Sequence, residues 1–152
     1  MRINKSNNKW NKRFLYLAEF ISAWSHDPST KVGAVVVDKD RRVVSTGYNG
    51  LARGVNDTKE RLENREIKYK IILHAEENAI MFSKQNLDGC SLYVSAMPPC
   101  SHCASLIIQS GIKKVYTWKQ PIPERWVESY KLTKQMFKEA GVRLIFVEND
   151  PH

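Results

Sequence analysis

Cysteine is scarce in this chain of 152 residues: three occur, too few and of the wrong parity for a disulfide framework. Two of them fall in Cys100-Ser101-His102-Cys103, a spacing that in a reducing compartment suits a metal, and Cys90 is left over as a buried structural thiol. No apolar run is long enough to cross a bilayer, and Met1 to Lys12 lacks the apolar centre and small-residue cleavage site of a signal peptide. No membrane partner and a cytoplasmic location are therefore expected. Repeats, low-complexity tracts and domain linkers are also missing, so the expectation is one compact domain over 1–152. Acidic residues are in deficit, 16 against 24 lysines and arginines, for a formal charge of +8. That balance favours an anionic ligand such as a phosphate ester, without choosing between nucleotide and polynucleotide; a solvated basic surface is the bland alternative.

What is present is mostly alternating helix and strand. From about Lys9 to Ser25, Phe14, Leu17, Ile21 and Trp24 recur at three- and four-residue steps, the stripe of a helix facing a core. His26-Asp27-Pro28-Ser29 breaks the pattern, and the β-branched run Val32 to Val37, the polar turn Asp38-Lys39-Asp40 and a second run Arg42 to Gly47 read as a hairpin. Gly50 to about Tyr69 is a polar excursion with one short helix expected around Thr58 to Tyr69; loops this long in a compact domain are often functional. Helices then follow at about Ala75 to Lys84, Cys100 to Gln109 and Pro123 to Ala140, with strands at Ser91 to Ser95, Lys113 to Thr117 and Arg143 to Glu148. Gly111 and Gly141 stand at expected helix C-caps. This alternation predicts an α/β fold, a central sheet covered by helices, with parallel neighbours in its second half.

Two fragments carry chemistry: His74-Ala75-Glu76 and Pro99-Cys100-Ser101-His102-Cys103. One imidazole and two thiolates give Zn²⁺ three protein ligands and leave a fourth tetrahedral position for water, the arrangement of a catalytic rather than a closed structural site. Cys100 and Cys103, three apart behind Pro99, share one face of a helix start, where the dipole favours thiolate. His74 and Glu76 are two apart and would diverge in mid-helix; they converge only at a helix start, where the dipole also favours the Glu76 charge. Glu76 is thus the candidate general acid and base. Alone, the C-x-x-C pair could be a redox or structural-zinc half-site, and the H-A-E triplet means little. Together and in this order they match the signature of zinc nucleobase deaminases. His26, His102 and His152 are expected to be solvent-exposed rather than a fourth ligand. Trp118, Trp126 and Tyr130 could stack on a base, but core or interface is the commoner use, and they are left out of the site.

With these motifs the chain resembles the cytidine deaminase superfamily, and within it the deoxycytidylate deaminases, from about Leu15 to Val147. The similar stretches are Asp27 to Ala34, Gly47-Tyr48-Asn49-Gly50, His74 to Ile80 and Leu106 to Lys113. The resemblance implies a three-layer α/β/α sandwich with a five-stranded mixed sheet, a homo-oligomer (hexamer or smaller), one catalytic zinc on His74, Cys100 and Cys103, and Glu76 as proton shuttle. It implies conversion of dCMP to dUMP and ammonia, feeding thymidylate synthesis. Asn49 matches the asparagine that contacts the sugar, where a carboxamide can both donate and accept; alternatively Asn-Gly simply turns the chain. Ala75 is a further substrate contact, and Lys31 and Arg53, near the matched stretches, are named for the phosphate, with a solvated charge as the alternative for each. The chain departs from the pattern at Ala52, where relatives often have proline, and at His102, where they often have an acid; the first departure argues against carrying over control by dCTP and dTTP. Rival readings are a deaminase editing tRNA or other nucleic acid, a deaminase of dCTP, cytidine, guanine or a modified nucleotide, and a catalytically dead scaffold.

Overall fold

The computed structural model describes residues 5–149; His152 lies outside them. The first helix, α1 (Lys5–Ser22), is followed by an antiparallel hairpin, β1 (Gly33–Val37) and β2 (Val43–Tyr48), in which Gly33 pairs with Tyr48. The excursion comes next: β3 (Gly50–Leu51), α2 (Lys59–Glu63), α3 (Arg65–Ile71) and β4 (Ile72–Leu73), with β3 and β4 pairing antiparallel at its base. Then come α4 (Ala75–Phe82), β5 (Ser91–Val94), α5 (Ser101–Ser110), β6 (Lys114–Trp118), α6 (Glu124–Ala140) and β7 (Arg143–Val147). The main sheet has five strands in the order β2-β1-β5-β6-β7. β1 lies antiparallel to both of its neighbours, and β5, β6 and β7 run parallel.

The mixed sheet follows from central strands buried on both faces. Along β1, Ala34 and Val36 join Leu92, Val94, Val115, Ala79, Ile107 and Phe137 on one side. Val35 and Val37 join Phe14, Leu15, Ala18, Tyr93 and Tyr116 on the other. Successive side chains of a strand point to opposite faces, so one apolar run supplies both cores. α4, α5 and α6 cover the first side and α1 the second. Gly111 and Gly141 close α5 and α6 in the left-handed conformation, as their positions predict.

Two elements depart from expectation. α1 stops at Ser22, and its buried stripe is Phe14, Leu15, Ala18 and Ile21; Trp24, beyond the helix, is half exposed and meets Phe20 and Tyr48 edge-on. The single helix expected over Thr58 to Tyr69 is two, because Asn64 ends one and starts the next. Its N–H bonds Glu60 O, while its side chain accepts from the Ile67 N–H at 3.2 Å.

Because β1 is antiparallel to β5, the start of β1 and the end of β2 lie at the carboxyl end of β5. The Ser95 N–H reaches Gly33 O at 3.0 Å and the Gly33 N–H reaches Ser95 Oγ at 2.9 Å. The segments before β1 and after β2, β5 and β6 thus gather at one end of the sheet, where a change of strand direction leaves a crevice.

Candidate active site

His74 is the N-cap of α4, in extended backbone conformation, and Glu76 is the second residue of that helix. A residue just outside a helix and one just inside it can turn their side chains to a common point, as the spacing of two requires. Glu77 fixes the start of the helix by accepting the His74 backbone N–H at 2.9 Å. Cys100 is likewise the N-cap of α5; its Sγ accepts the Cys103 N–H at 3.4 Å. α6 holds this second helix start: Thr133 Oγ1 donates to Pro99 O at 2.8 Å, and the Ser101 N–H donates to Ser129 Oγ at 3.0 Å.

The two helix starts bring His74 Nδ1 to 3.2 Å from Cys103 Sγ and 3.5 Å from Cys100 Sγ, and all three ligand atoms lie within 4.8 Å of one another. Zinc bonds of about 2.0–2.3 Å at tetrahedral angles put N and S about 3.5 Å apart and two sulfurs about 3.8 Å apart, so the donor set and its spacing fit Zn²⁺. Among the described residues no fourth ligand joins the group. His26 is exposed beside Asp57, and His102 is exposed and 3.8 Å from Glu77.

The cluster shares protons tightly. A hydrogen bond from the Cys103 thiol, aided by His74, draws Cys100 down to about 4 against its burial. The same bond, then burial, raises Cys103. The bond to Cys100 lifts His74 to about 9. A divalent cation binding here competes with those protons. Glu76 is 6% exposed, and burial pushes its carboxyl up to about 7, although the positive His74 opposes the rise. Burial outweighs the helix-start effect, which on its own would have favoured the charged form.

These groups open on a cavity of about 590 Å³, within the range of small-molecule sites. Asn49, Ala75, Glu76, His74 and Cys100 all line it, while Cys103 sits fully buried behind. Lys31 and Arg53 do not. The Lys31 ammonium is spent on the Ser25 carbonyl at 2.6 Å, and the Arg53 guanidinium lies over the Phe82 ring, 5.3 Å from its centroid. The cations at the cavity are Arg65 and Lys68 of α3 and Arg125 at the start of α6, next to Trp126. Sequence reasoning missed the three cations and named Trp126 only to leave it out of the site, yet signals existed. Arg65 and Lys68 are three apart on a helix, hence on one face, and Arg125 puts a cation in a first turn, where the dipole disfavours it. Trp118 is core, and Tyr130 packs against Phe146.

The family model of the cytidine and deoxycytidylate deaminase zinc-binding region matches residues 8–119, which include every ligand of the cluster. The chain belongs to this family. Among deaminases of the family, the uncharacterized deaminase in the luxG 3' region of Aliivibrio fischeri is 47% identical over 145 residues, covering 94% of this chain and 97% of that protein. The human deoxycytidylate deaminase is 42% identical over 143 residues, 88% of this chain and 77% of its own length. The crystal structure of the dCMP deaminase of cyanophage S-TIM5 in complex with dCMP and dUMP superposes with a TM-score of 0.70 at 28% identity, covering 90% of this chain and 95% of that one.

Proposed function

We propose that this chain hydrolyses the exocyclic amine of deoxycytidylate, giving dUMP and ammonia. The observation that carries the reading is the buried Glu76 carboxyl opening on the same cavity as His74 and Cys100. The human and cyanophage relatives support deoxycytidylate as the substrate.

His74, Cys100 and Cys103 would hold one Zn²⁺, which supplies Lewis acidity that makes water nucleophilic near neutral pH. The Glu76 carboxylate takes a proton from the attacking water as its oxygen bonds C4 of the base. The carboxyl returns that proton to the ring nitrogen. A second transfer through Glu76 places a proton on the departing amine, the C4–N bond breaks, and ammonia leaves. Burial, which pushes the Glu76 carboxyl up from the ordinary carboxylate range, favours the return of the proton. Trp126 offers an aromatic face to the base, and Arg65 and Arg125 offer charge-assisted donors to the phosphate in place of Lys31 and Arg53.

The chain acts as a cytoplasmic homo-oligomer in this reading. No helix among the described residues is long and apolar enough to cross a membrane, and the exposed side chains of Phe20, Trp24 and Tyr48 on one side and of Met81 and Phe82 on α4 suit subunit contacts. The test is ammonia release by the zinc-loaded protein from dCMP, dCTP, CMP, deoxycytidine, dAMP, guanine and a tRNA pool, beside a Glu76→Ala variant. Turnover of dCMP well above the rest, lost in the variant, is expected; turnover confined to tRNA or another nucleobase would overturn the substrate assignment.

A further inference from the structure

On α6, Trp126, Ser129, Thr133 and Phe137 recur at three- and four-residue steps and so share one face. Phe137 lies in the core and Thr133 is fully buried, so a hydroxyl stands at 133 where an apolar side chain would be expected. Burying a hydroxyl is costly unless it is bonded, and a β-branched residue is a poorer helix former than leucine or alanine. What Thr133 bonds is therefore the question.

Both hydroxyls of this face reach the start of α5. Thr133 Oγ1 donates to Pro99 O at 2.8 Å, and Ser129 Oγ accepts the Ser101 N–H at 3.0 Å. These are the carbonyl just before Cys100 and the amide just after it. The backbone on either side of this one ligand is thus gripped by two residues a turn apart on a neighbouring helix. The single hydrogen of the Thr133 hydroxyl, spent on Pro99, cannot bond back to its own helix.

The other bonds of Cys100 lie within α5: its Sγ accepts the Cys103 N–H at 3.4 Å and its carbonyl accepts the Ala104 N–H at 2.8 Å. They fix the cysteine relative to its own helix, whereas His74, whose Nδ1 is 3.5 Å from Cys100 Sγ, stands at the start of α4. Ala104 and Ile107 pack α5 into the core, but apolar contact is non-directional. A metal set must be held to about 0.5 Å. Directional bonds to the ligand's own backbone meet that need.

We propose that Thr133, seconded by Ser129, is a positioning residue for the metal: by holding the peptide groups that flank Cys100 it sets this cysteine against His74, and so determines how tightly Zn²⁺ is held. Partners of metal ligands are commonly worth about 10–100-fold in metal affinity.

This rests on the zinc reading above, and the test separates the two. Zinc affinity is measured by competition with a chromophoric chelator on the wild type, Thr133→Val, Thr133→Ser and Ser129→Ala. Melting of the metal-free proteins and the visible spectrum of the Co²⁺-loaded ones are recorded alongside. Thr133→Val keeps the side chain's shape and removes the donor to Pro99; it should bind zinc about 10–100-fold more weakly and alter the Co²⁺ bands. Thr133→Ser keeps the donor and removes a methyl; it should melt lower yet hold zinc as the wild type does. Ser129→Ala, at a half-buried position where water can replace the hydroxyl, should weaken zinc by less. Wild-type zinc affinity in Thr133→Val would overturn the proposal, and so would equal weakening in Thr133→Val and Thr133→Ser, which would mean that the residue serves packing alone. If Thr133→Val does not fold, Ser129→Ala decides: weaker zinc with an unmoved metal-free melting point supports the proposal, and unchanged zinc overturns it. Failure of the wild type to bind zinc would remove the zinc reading and this proposal with it, whereas tight zinc indifferent to both hydroxyls would sink the proposal alone.

Discussion

Gly47 offers a direct test of how the fold sets the site. It lies on β2 opposite Ala34 and faces α4, where a Cβ would run into the carbonyl of Ala75 and the backbone of Ala79. Ser45, two residues earlier on the same face, ties the same helix to the strand by donating from Oγ to Ala79 O at 2.6 Å. Gly47→Ala therefore forces α4 off the sheet by roughly 1 Å to reach ordinary contact. Overpacking of this kind costs about 1–3 kcal/mol, or roughly 2–12 °C in Tm for a chain of this size. The functional loss should be larger. α4 carries His74 and Glu76, and His74 Nδ1 sits 3.2 Å from Cys103 Sγ on the neighbouring helix, so moving one helix start and not the other spoils the zinc set. A misplacement of about 1 Å can cost about 10²-fold in rate. Calorimetry, zinc content by mass spectrometry and dCMP turnover would be compared with Gly50→Ala, where an added Cβ meets nothing within 4 Å. A Gly47→Ala protein with wild-type Tm, zinc and turnover, or an equal loss in Gly50→Ala, would refute the reasoning.

Glu76→Gln should lower kcat by about 10²–10⁴ while zinc content and Tm stay near wild type; retained turnover would assign the proton transfers to another group. Stripping zinc with a chelator should abolish turnover and lower Tm, both restored by added Zn²⁺; because the ligands must shed protons to bind, zinc affinity should weaken as pH falls, and a Tm indifferent to zinc would refute a structural contribution. Asp27, whose burial would raise its pKa, is instead held below the ordinary value by the Ser29 and Thr30 N–H groups and Lys68. It therefore contributes stability above the unfolded value near 4 that is lost as pH falls through the lower folded value; acid melts of Asp27→Asn should show a flatter dependence there, and an unchanged acid limb would refute it. Arg65→Ala and Arg125→Ala should each raise KM for dCMP several-fold and leave deoxycytidine turnover alike, and equal losses on both substrates would remove them from the phosphate site.

The convergence of His74, Cys100 and Cys103 beside Glu76 was legible in the sequence because it depends on local spacing: two cysteines within four residues, and a histidine and a glutamate at one helix start. The hairpin and the parallel pairing of the later strands were legible for a similar reason, since β-branched runs separated by capped helices leave few arrangements, although the order of the five strands was not read from them. The cations were not. Lys31 and Arg53 stand beside the matched stretches, but the first folds back on Ser25 and the second onto Phe82, while the excursion, whose two short helices turn on Asn64, brings Arg65 and Lys68 across from a distance in sequence. The three-residue step of Arg65 and Lys68 puts them on one helix face, but which face meets the cavity is decided by tertiary packing.

Glu76 shows how the two levels combine. In the first turn of α4 the helix dipole stabilises its charge by about 0.3–1 kcal/mol, less than one pKa unit. Burial acts the other way and prevails, bringing the carboxyl to about 7. An exposed glutamate at the same helix position would stay ionised at neutral pH, able to take a proton from water but a poor acid for returning it to the base. The helix start thus explains where Glu76 points, and its burial at the cavity wall explains its chemistry.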